Sequence, residues 1–209
     1  MARGEDIKTP LAIISYAKDL FKKRAQEDGQ AEKYGCTLLI PKTTDISALE
    51  AAALAVAKEE WGEKALQWIK DGLIKSPFLD GDGPQGINKK SGERHSGHAG
   101  HRFIRCSSGG DYKPKVFDRK RNPIMDVEGC PSGSQGYGVI NPYTWENAKN
   151  GKGISFGISM VQVAKVATGA EVLGGGGGPD PDKFFEAIPD EGDAPDATKG
   201  GAGAGGLFG

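Results

Sequence analysis

The sequence predicts a mainly β protein: a small barrel of five to six strands with one main inserted α-helix, then a disordered acidic C-terminal tail. Three observations carry that expectation. Short runs of aliphatic and aromatic residues recur between Gly-, Ser- and Asn-rich turns. Only Asp45 to Gly72 has apolar residues at sustained helical spacing. From Gly174 onward the chain becomes a glycine run, an acidic stretch and a small-residue end.

In chain order, Leu11 to Ala17 is apolar after Thr9-Pro10, and Tyr34 to Pro41 is rich in β-formers, so both are expected strands. Lys18 to Lys33 between them is highly charged and reads as a long loop or a short surface helix. The helix over Asp45 to Gly72 rests on Ile46, Leu49, Ala53, Val56 and Ala57, with Ser47 and Glu50 as a capping box and Gly62 as a break. Ser76 to Gly100 is polar, basic and aperiodic, the signature of a long functional loop. Four more strands are expected, at His101 to Cys106, Lys113 to Asp118, Gly136 to Asn141 and Gly153 to Val166, with a hairpin tip over Asn147 to Gly153. The helix therefore falls between the second and third strands. Among small barrels the OB-fold most often offers a face to single-stranded nucleic acid, so an OB-fold-like barrel is the expected class. Its expected bounds are residues 1–173, with 174–209 as a flexible Gly-rich acidic tail.

Charge sharpens this. The chain is formally −1, but residues 174–209 hold seven acids against Lys183 and Lys199, which leaves the body at +4. Gln85 to Asn122 alone carries ten Lys or Arg against Glu93, Asp111 and Asp118. Such asymmetry points to a polyanionic partner bound in a salt-dependent way. No apolar run reaches the ~20 residues of a spanning helix, and Met1 to Lys8 lacks the apolar stretch of a signal peptide, so a soluble intracellular protein with no membrane partner is expected. Cys36, Cys106 and Cys130 read as free thiols.

Single strands are held by rings that stack on bases and by cations that follow phosphates. Both types interleave at Arg102-Phe103-Ile104-Arg105, Tyr112-Lys113-Pro114-Lys115, and Arg119-Lys120-Arg121. Strand alternation places Phe103 and Arg105 on one face as a stack-and-clamp pair. Lys89 and Lys90 add charge from the long loop. Tyr137, Tyr143 and Trp145 lie in a Gly- and Asn-rich stretch and are further candidates, the latter two on a loop. Tyr16 and Tyr34 have weaker claims, since each sits in an apolar strand.

His95, His98 and His101, with Cys106, are the residue types of a zinc site, but no paired Cys or HExxH context accompanies them, so loop roles and no metal or other cofactor are expected. Gly81 to Gly86 lacks the strand-to-helix setting and Lys-Ser/Thr ending of a phosphate loop and reads as a turn. No nucleophile motif is present, and a non-enzyme is expected. Two other classes stay open: a magnesium-dependent nuclease, for which Asp111, Asp118 and Asp126 are the nearby carboxylates, and an assembly protein using the basic loop for protein contacts.

Ile13-Ile14-Ser15-Tyr16-Ala17 with Leu20-Phe21, Tyr137-Gly138 through Asn141-Pro142-Tyr143, and Gly157-Ile158-Ser159-Met160-Val161-Gln162 before Gly174, in this order and spacing, resemble a bacteriophage single-stranded DNA-binding protein family with an OB-fold core, once catalogued as a domain of unknown function. The resemblance implies a sequence-independent binder that coats and protects single-stranded DNA during phage replication or recombination, in the cytoplasm of the infected bacterial host. Duplex DNA stays open as a second ligand, and nothing fixes an oligomeric state. The tail, through Asp190, Glu191, Asp193, Leu207 and Phe208, is expected to recruit replication or recombination proteins or to compete with DNA for the basic groove.

Overall fold

The computed structural model describes residues 1–25 and 31–174. Nearly all of the expected acidic tail, including Asp190, Glu191, Asp193, Leu207 and Phe208, lies outside the described residues.

Nine strands and two α-helices occur among these residues: β1 (Ile7–Lys8), β2 (Ala12–Ser15), β3 (Tyr34–Pro41), α1 (Ser47–Trp61), α2 (Ala65–Lys70), β4 (Ile74–Lys75), β5 (Leu79–Asp80), β6 (His101–Ser108), β7 (Lys115–Phe117), β8 (Gln135–Asn147) and β9 (Gly151–Lys165). Five of them close a barrel. β2 pairs antiparallel with β3, β3 with β6, β6 parallel with β9, β9 antiparallel with β8, and β8 back to β2. In chain order of the barrel strands that circuit is first, second, third, fifth, fourth, the OB arrangement. The remaining four strands are two or three residues long and decorate its rim.

Alternation builds the interior. Cys36, Leu38 and Ile40 from β3, Ile104 and Cys106 from β6, and Ile140, Phe156, Ile158 and Val161 from the β8–β9 hairpin are all buried in one cluster. The three cysteines are free and buried, and burial pushes the Cys130 thiol up to about 12 and those of Cys36 and Cys106 further still. α1 closes one end of the barrel by burying Leu49, Ala53, Val56 and Ala57, the apolar stripe anticipated from its spacing. The helix breaks at Gly62, which adopts φ 70, and resumes as α2. This helical unit is an insertion between the second and third barrel strands, and the connection from β6 to β8 carries β7 in place of a helix.

The expected capping box does not form. No side chain caps α1 from its N-cap residue, and Asp45 accepts the Ser47 amide at 2.8 Å instead. Asp45 thus takes the amide that the Glu50 side chain would accept in a capping box, and the Glu50 amide, which the Ser47 hydroxyl would accept, bonds the Ile46 carbonyl at 3.0 Å.

The segment read as a long loop is folded. β5, a 3-10 turn at Pro84–Gly86 and an Ile87–Arg94 bridge organise it. Lys42 clamps Asp80 at 2.6 Å and Asp82 at 2.7 Å, and Asp82 also accepts the Gly100 amide at 3.1 Å. The glycines of the 81–86 stretch serve close backbone approach: a Cβ on Gly81 would lie 2.0 Å from the His98 carbonyl, and one on Gly86 2.1 Å from the Gly81 carbonyl.

Candidate nucleic-acid interface

In an OB barrel the outer face of the second and third strands is the usual platform for oligonucleotides. Here that face belongs to β3 and β6, whose outward residues pair as Gly35↔Ser107, Thr37↔Arg105 and Leu39↔Phe103. The three pairs fare differently. Residues 81–100 and the C-terminal segment fold over the last one, so that Phe103 and Leu39 are fully buried. His98, 2% exposed, meets the Phe103 ring edge-on with centroids 4.8 Å apart, and the Leu173 side chain packs beside Gly97 and Leu39. The stack-and-clamp pair expected from alternation is therefore corrected: Phe103 belongs to a second, outer core, and only Arg105 is open, its guanidinium carbon 5.4 Å from the Phe103 ring centre.

Beside this outer core the face opens into a hollow of about 290 Å³ walled by Tyr16, Arg24, Lys33, Thr37, His95 and Arg105. Tyr16 stands at the end of β2 in the left-handed region (φ 55), which turns its ring away from the barrel and leaves it 39% exposed. Its hydroxyl meets His95 Nδ1 at 2.8 Å. Burial, then the nearby Arg105 charge, hold His95 below its ordinary value, so the imidazole is neutral near pH 7. Asp19 is the carboxylate of this hollow, and Arg24 offsets it at 3.8 Å.

At Lys33 the hollow meets a larger one of about 780 Å³, lined by Arg3, Tyr112, Asn141, Tyr143 and Gly157, of which Arg3 and Tyr112 are exposed and Tyr143 is half-buried. Its floor is flat because Asn141 lies over Gly157, where a Cβ would come within 2.6 Å of Oδ1. Arg3 Nε donates to Asn141 Oδ1 at 3.2 Å, and Asn141 Nδ2 donates to Asp6 at 2.8 Å, so the Asp6 carboxylate is engaged by the floor itself. The two hollows share Lys33, and between them they bring three rings (Tyr16, Tyr112, Tyr143) and four cations (Arg24, Lys33, Arg105, Arg3) to a surface termed the trough.

The other candidates fall elsewhere. Tyr143 and Trp145, expected on a loop, are in β8, which runs on through Pro142 because the Pro142 carbonyl accepts the Gly4 amide at 2.8 Å. Trp145 lies flat on Gly153 and donates to Ser155 Oγ at 2.9 Å, a packed, half-buried ring. Arg102 is half-buried opposite Ile40 and Asp80, outside the trough. Lys113 places its ammonium 5.7 Å from the Phe21 ring, and Lys89 and Lys90 are exposed on the loop. Tyr137, Lys115, Arg119, Lys120 and Arg121 gather on a different face, at the far end of the β8–β9 hairpin.

The histidines do not converge with Cys106: His98 packs on the outer core, His95 bonds Tyr16, His101 Nδ1 meets the Ala99 carbonyl at 2.7 Å, and Cys106 points into the barrel. Asp118 and Asp126 each organise a local turn, accepting backbone amides of Lys120 and Asn122 and of Glu128 and Gly129 respectively. Among the described residues no three His, Cys, Asp or Glu side chains cluster as a metal site.

Sequence reading undervalued Tyr16 and passed over Arg3, Lys8, Arg24 and Lys33. Tyr16 was legible in part, as a large ring where an apolar strand meets a charged segment. The N-terminal residues were not, because their place depends on pairing with β8, more than 130 residues away.

A five-stranded barrel in OB order, with rings and cations lining hollows that start on its second and third strands and reach onto β8 and β9, is the architecture of oligonucleotide-binding domains. The sequence profile of the Enterobacter phage Enc34 ssDNA-binding protein family matches residues 6–195, and the chain belongs to that family. Among solved structures it is similar to the bacteriophage Enc34 single-stranded DNA-binding protein in complex with ssDNA (24% identity, 79% of this chain and 89% of that one, TM-score 0.59) and to its C-terminal truncation (25%, 78% and 87%, 0.58). The fold is shared with gp2.5, a single-stranded DNA-binding protein of bacteriophage T7, at 15% identity over 92% of this chain and 100% of that one, TM-score 0.54. No curated protein matches the sequence.

Proposed function

We propose that this protein binds single-stranded DNA without sequence preference, coating and protecting exposed strands during phage replication or recombination in the cytoplasm of the host. The trough carries the reading. Tyr16, Tyr112 and Tyr143 offer faces on which any base can stack, and Arg3, Arg24, Lys33 and Arg105 lie where a backbone passing those rings would run. Membership of a family described by its ssDNA-binding protein supports it. The role is binding, with no chemistry on the strand. The nucleic-acid-binding domain is assigned to residues 1–173, and the acidic sequence 174–209 to competing with DNA or recruiting partners through Leu207 and Phe208.

The test is retention of labelled poly-dT and of a mixed-sequence strand, titrated with salt. Tight retention of both, falling steeply with salt, is expected. Retention of one sequence only, or of neither, contradicts the proposal. Removing residues 174–209 should leave affinity equal or higher, most clearly at low salt; weaker binding contradicts competition.

A further inference from the structure

The trough leaves unexplained a second concentration of rings and cations further along the outer face of β8. β1 and β7 lie outside the five-strand circuit, and each pairs with one strand of the β8–β9 hairpin, so that β1, β8, β9 and β7 form a four-strand ledge. Two rows of directly opposed residues cross it. One reads Lys8↔Val139↔Met160↔Lys115, and the other Tyr137↔Gln162↔Phe117. Opposed residues share a face, and the rows are two positions apart along each strand, so all seven side chains stand on one outer surface about 7 Å deep along the strands. Val116 and Val161 alternate inward to the core.

The chemistry of this surface is specific. An open cavity of about 350 Å³ has an apolar floor of Val139 and Met160 in one row, and the next row edges it with the Tyr137 and Phe117 rings on either side of Gln162. Lys8 and Lys115 mark the two ends of one row, and Arg121 overhangs the cavity from the neighbouring turn. Arg121 is held at φ 68, a conformation unfavourable for a residue with a side chain. Asp118 enforces it by accepting the Lys120 and Asn122 amides and the Asn122 side chain, each at 2.8 Å. Those bonds, the Asn122 side chain first, keep Asp118 below its usual carboxylate value and in use within its own turn. The Lys8 ammonium rests 4.1 Å from the Tyr137 ring centre, a weak contact at an exposed site that a stacking base displaces readily. Rings on an apolar floor, edged by cations, complement a flat heterocycle joined to phosphates.

We propose that the ledge is a second subsite for single-stranded DNA, in which a base lies between Tyr137 and Phe117 while Lys8, Lys115 and Arg121 take the adjoining phosphates. The inference rests on the single-strand reading above and extends it: a strand leaving the trough at Tyr143 passes along the outward row of β8, over Asn141 and Val139, to reach Tyr137.

The test compares affinities of the full chain and of Tyr137→Ala and Lys8→Gln/Lys115→Gln variants for labelled oligo-dT of about 6 and about 20 nucleotides, the first near the lower end of the ~4–16 nucleotides one OB barrel occupies and the second beyond its upper end. The variants should bind the short strand normally and the long one about 5- to 150-fold more weakly. Unchanged long-strand affinity in both variants, with the wild type binding tightly, overturns the ledge and leaves the trough standing. No binding by the wild type defeats the underlying reading instead. Equal losses at both lengths with a lowered unfolding temperature mark Tyr137 as structural and also overturn the inference. Sedimentation of the same proteins covers the remaining occupant: a wild-type dimer that the variants dissociate, with long-strand affinity per chain unchanged, makes the ledge a self-interface.

Discussion

Phe103 and Tyr143 both point outward from the same barrel, yet one is fully buried and the other is open to the trough. The difference lies in what passes over them. The knit segment 81–100 roofs the β6 residue, and the Asp82 ion pair to Lys42 and the glycine contacts fix the roof in place. Over β8 the neighbouring backbone is flat, because Gly157 and Gly153 lie beside Asn141 and Trp145, and Tyr143 stays half-exposed where it lines the trough. Strand alternation thus separates barrel interior from exterior, but exterior is not the same as solvent.

That contrast can be broken most forcefully at Phe103. Phe103→Ala should lower the unfolding free energy by about 3–5 kcal/mol, the usual result of truncating a buried aromatic, measured by denaturant titration. A loss near zero would return the ring to the surface. Tyr143→Ala should behave in the opposite way, with a near-normal denaturation midpoint and a loss of about 1–3 kcal/mol in affinity for oligo-dT by fluorescence anisotropy. Charge along the trough is read from salt dependence: Lys33→Gln should reduce the slope of log K against log salt by about 0.7, one phosphate contact on a single strand.

The smallest effect concerns the roof. Burial holds the folded-state values of His95 and His98 below 6.5, so the native state disfavours their protonation. Their contribution to stability is complete above that ordinary value and is lost as pH falls below it and through the folded-state values. Thermal unfolding between about pH 7.5 and about pH 5.5 should therefore show a larger loss in the wild type than in His98→Gln. Equal losses would place the pH sensitivity elsewhere.

How much of this was readable depends on how local each cause is. β3 was expected at Tyr34 to Pro41 and occurs there, because a continuous β-rich run between turns is a local signal. The helix, its apolar stripe and its break at Gly62 were legible for the same reason. β1, β4 and β5 were not, since two-residue strands exist only through their partners. β8 was cut short at Asn141 because Asn-Pro reads as a turn, and the rescue comes from the distant Gly4 amide. At the site, the basic excess, the exposed Arg105 and Tyr112 and the half-buried Tyr143 were within reach of sequence, whereas the burial of Phe103 and the exposure of Tyr16 follow from a roof and a left-handed residue that no spacing encodes.

Photocrosslinking of a halogenated-pyrimidine oligonucleotide to the full chain, with adducts mapped by mass spectrometry, tests the central claim most directly. Adducts on Tyr16, Tyr112 or Tyr143 are predicted, since a strand lying in the trough stacks its bases there. Adducts confined to the helical insertion around Trp61 and Trp68, with none along the trough, would contradict it.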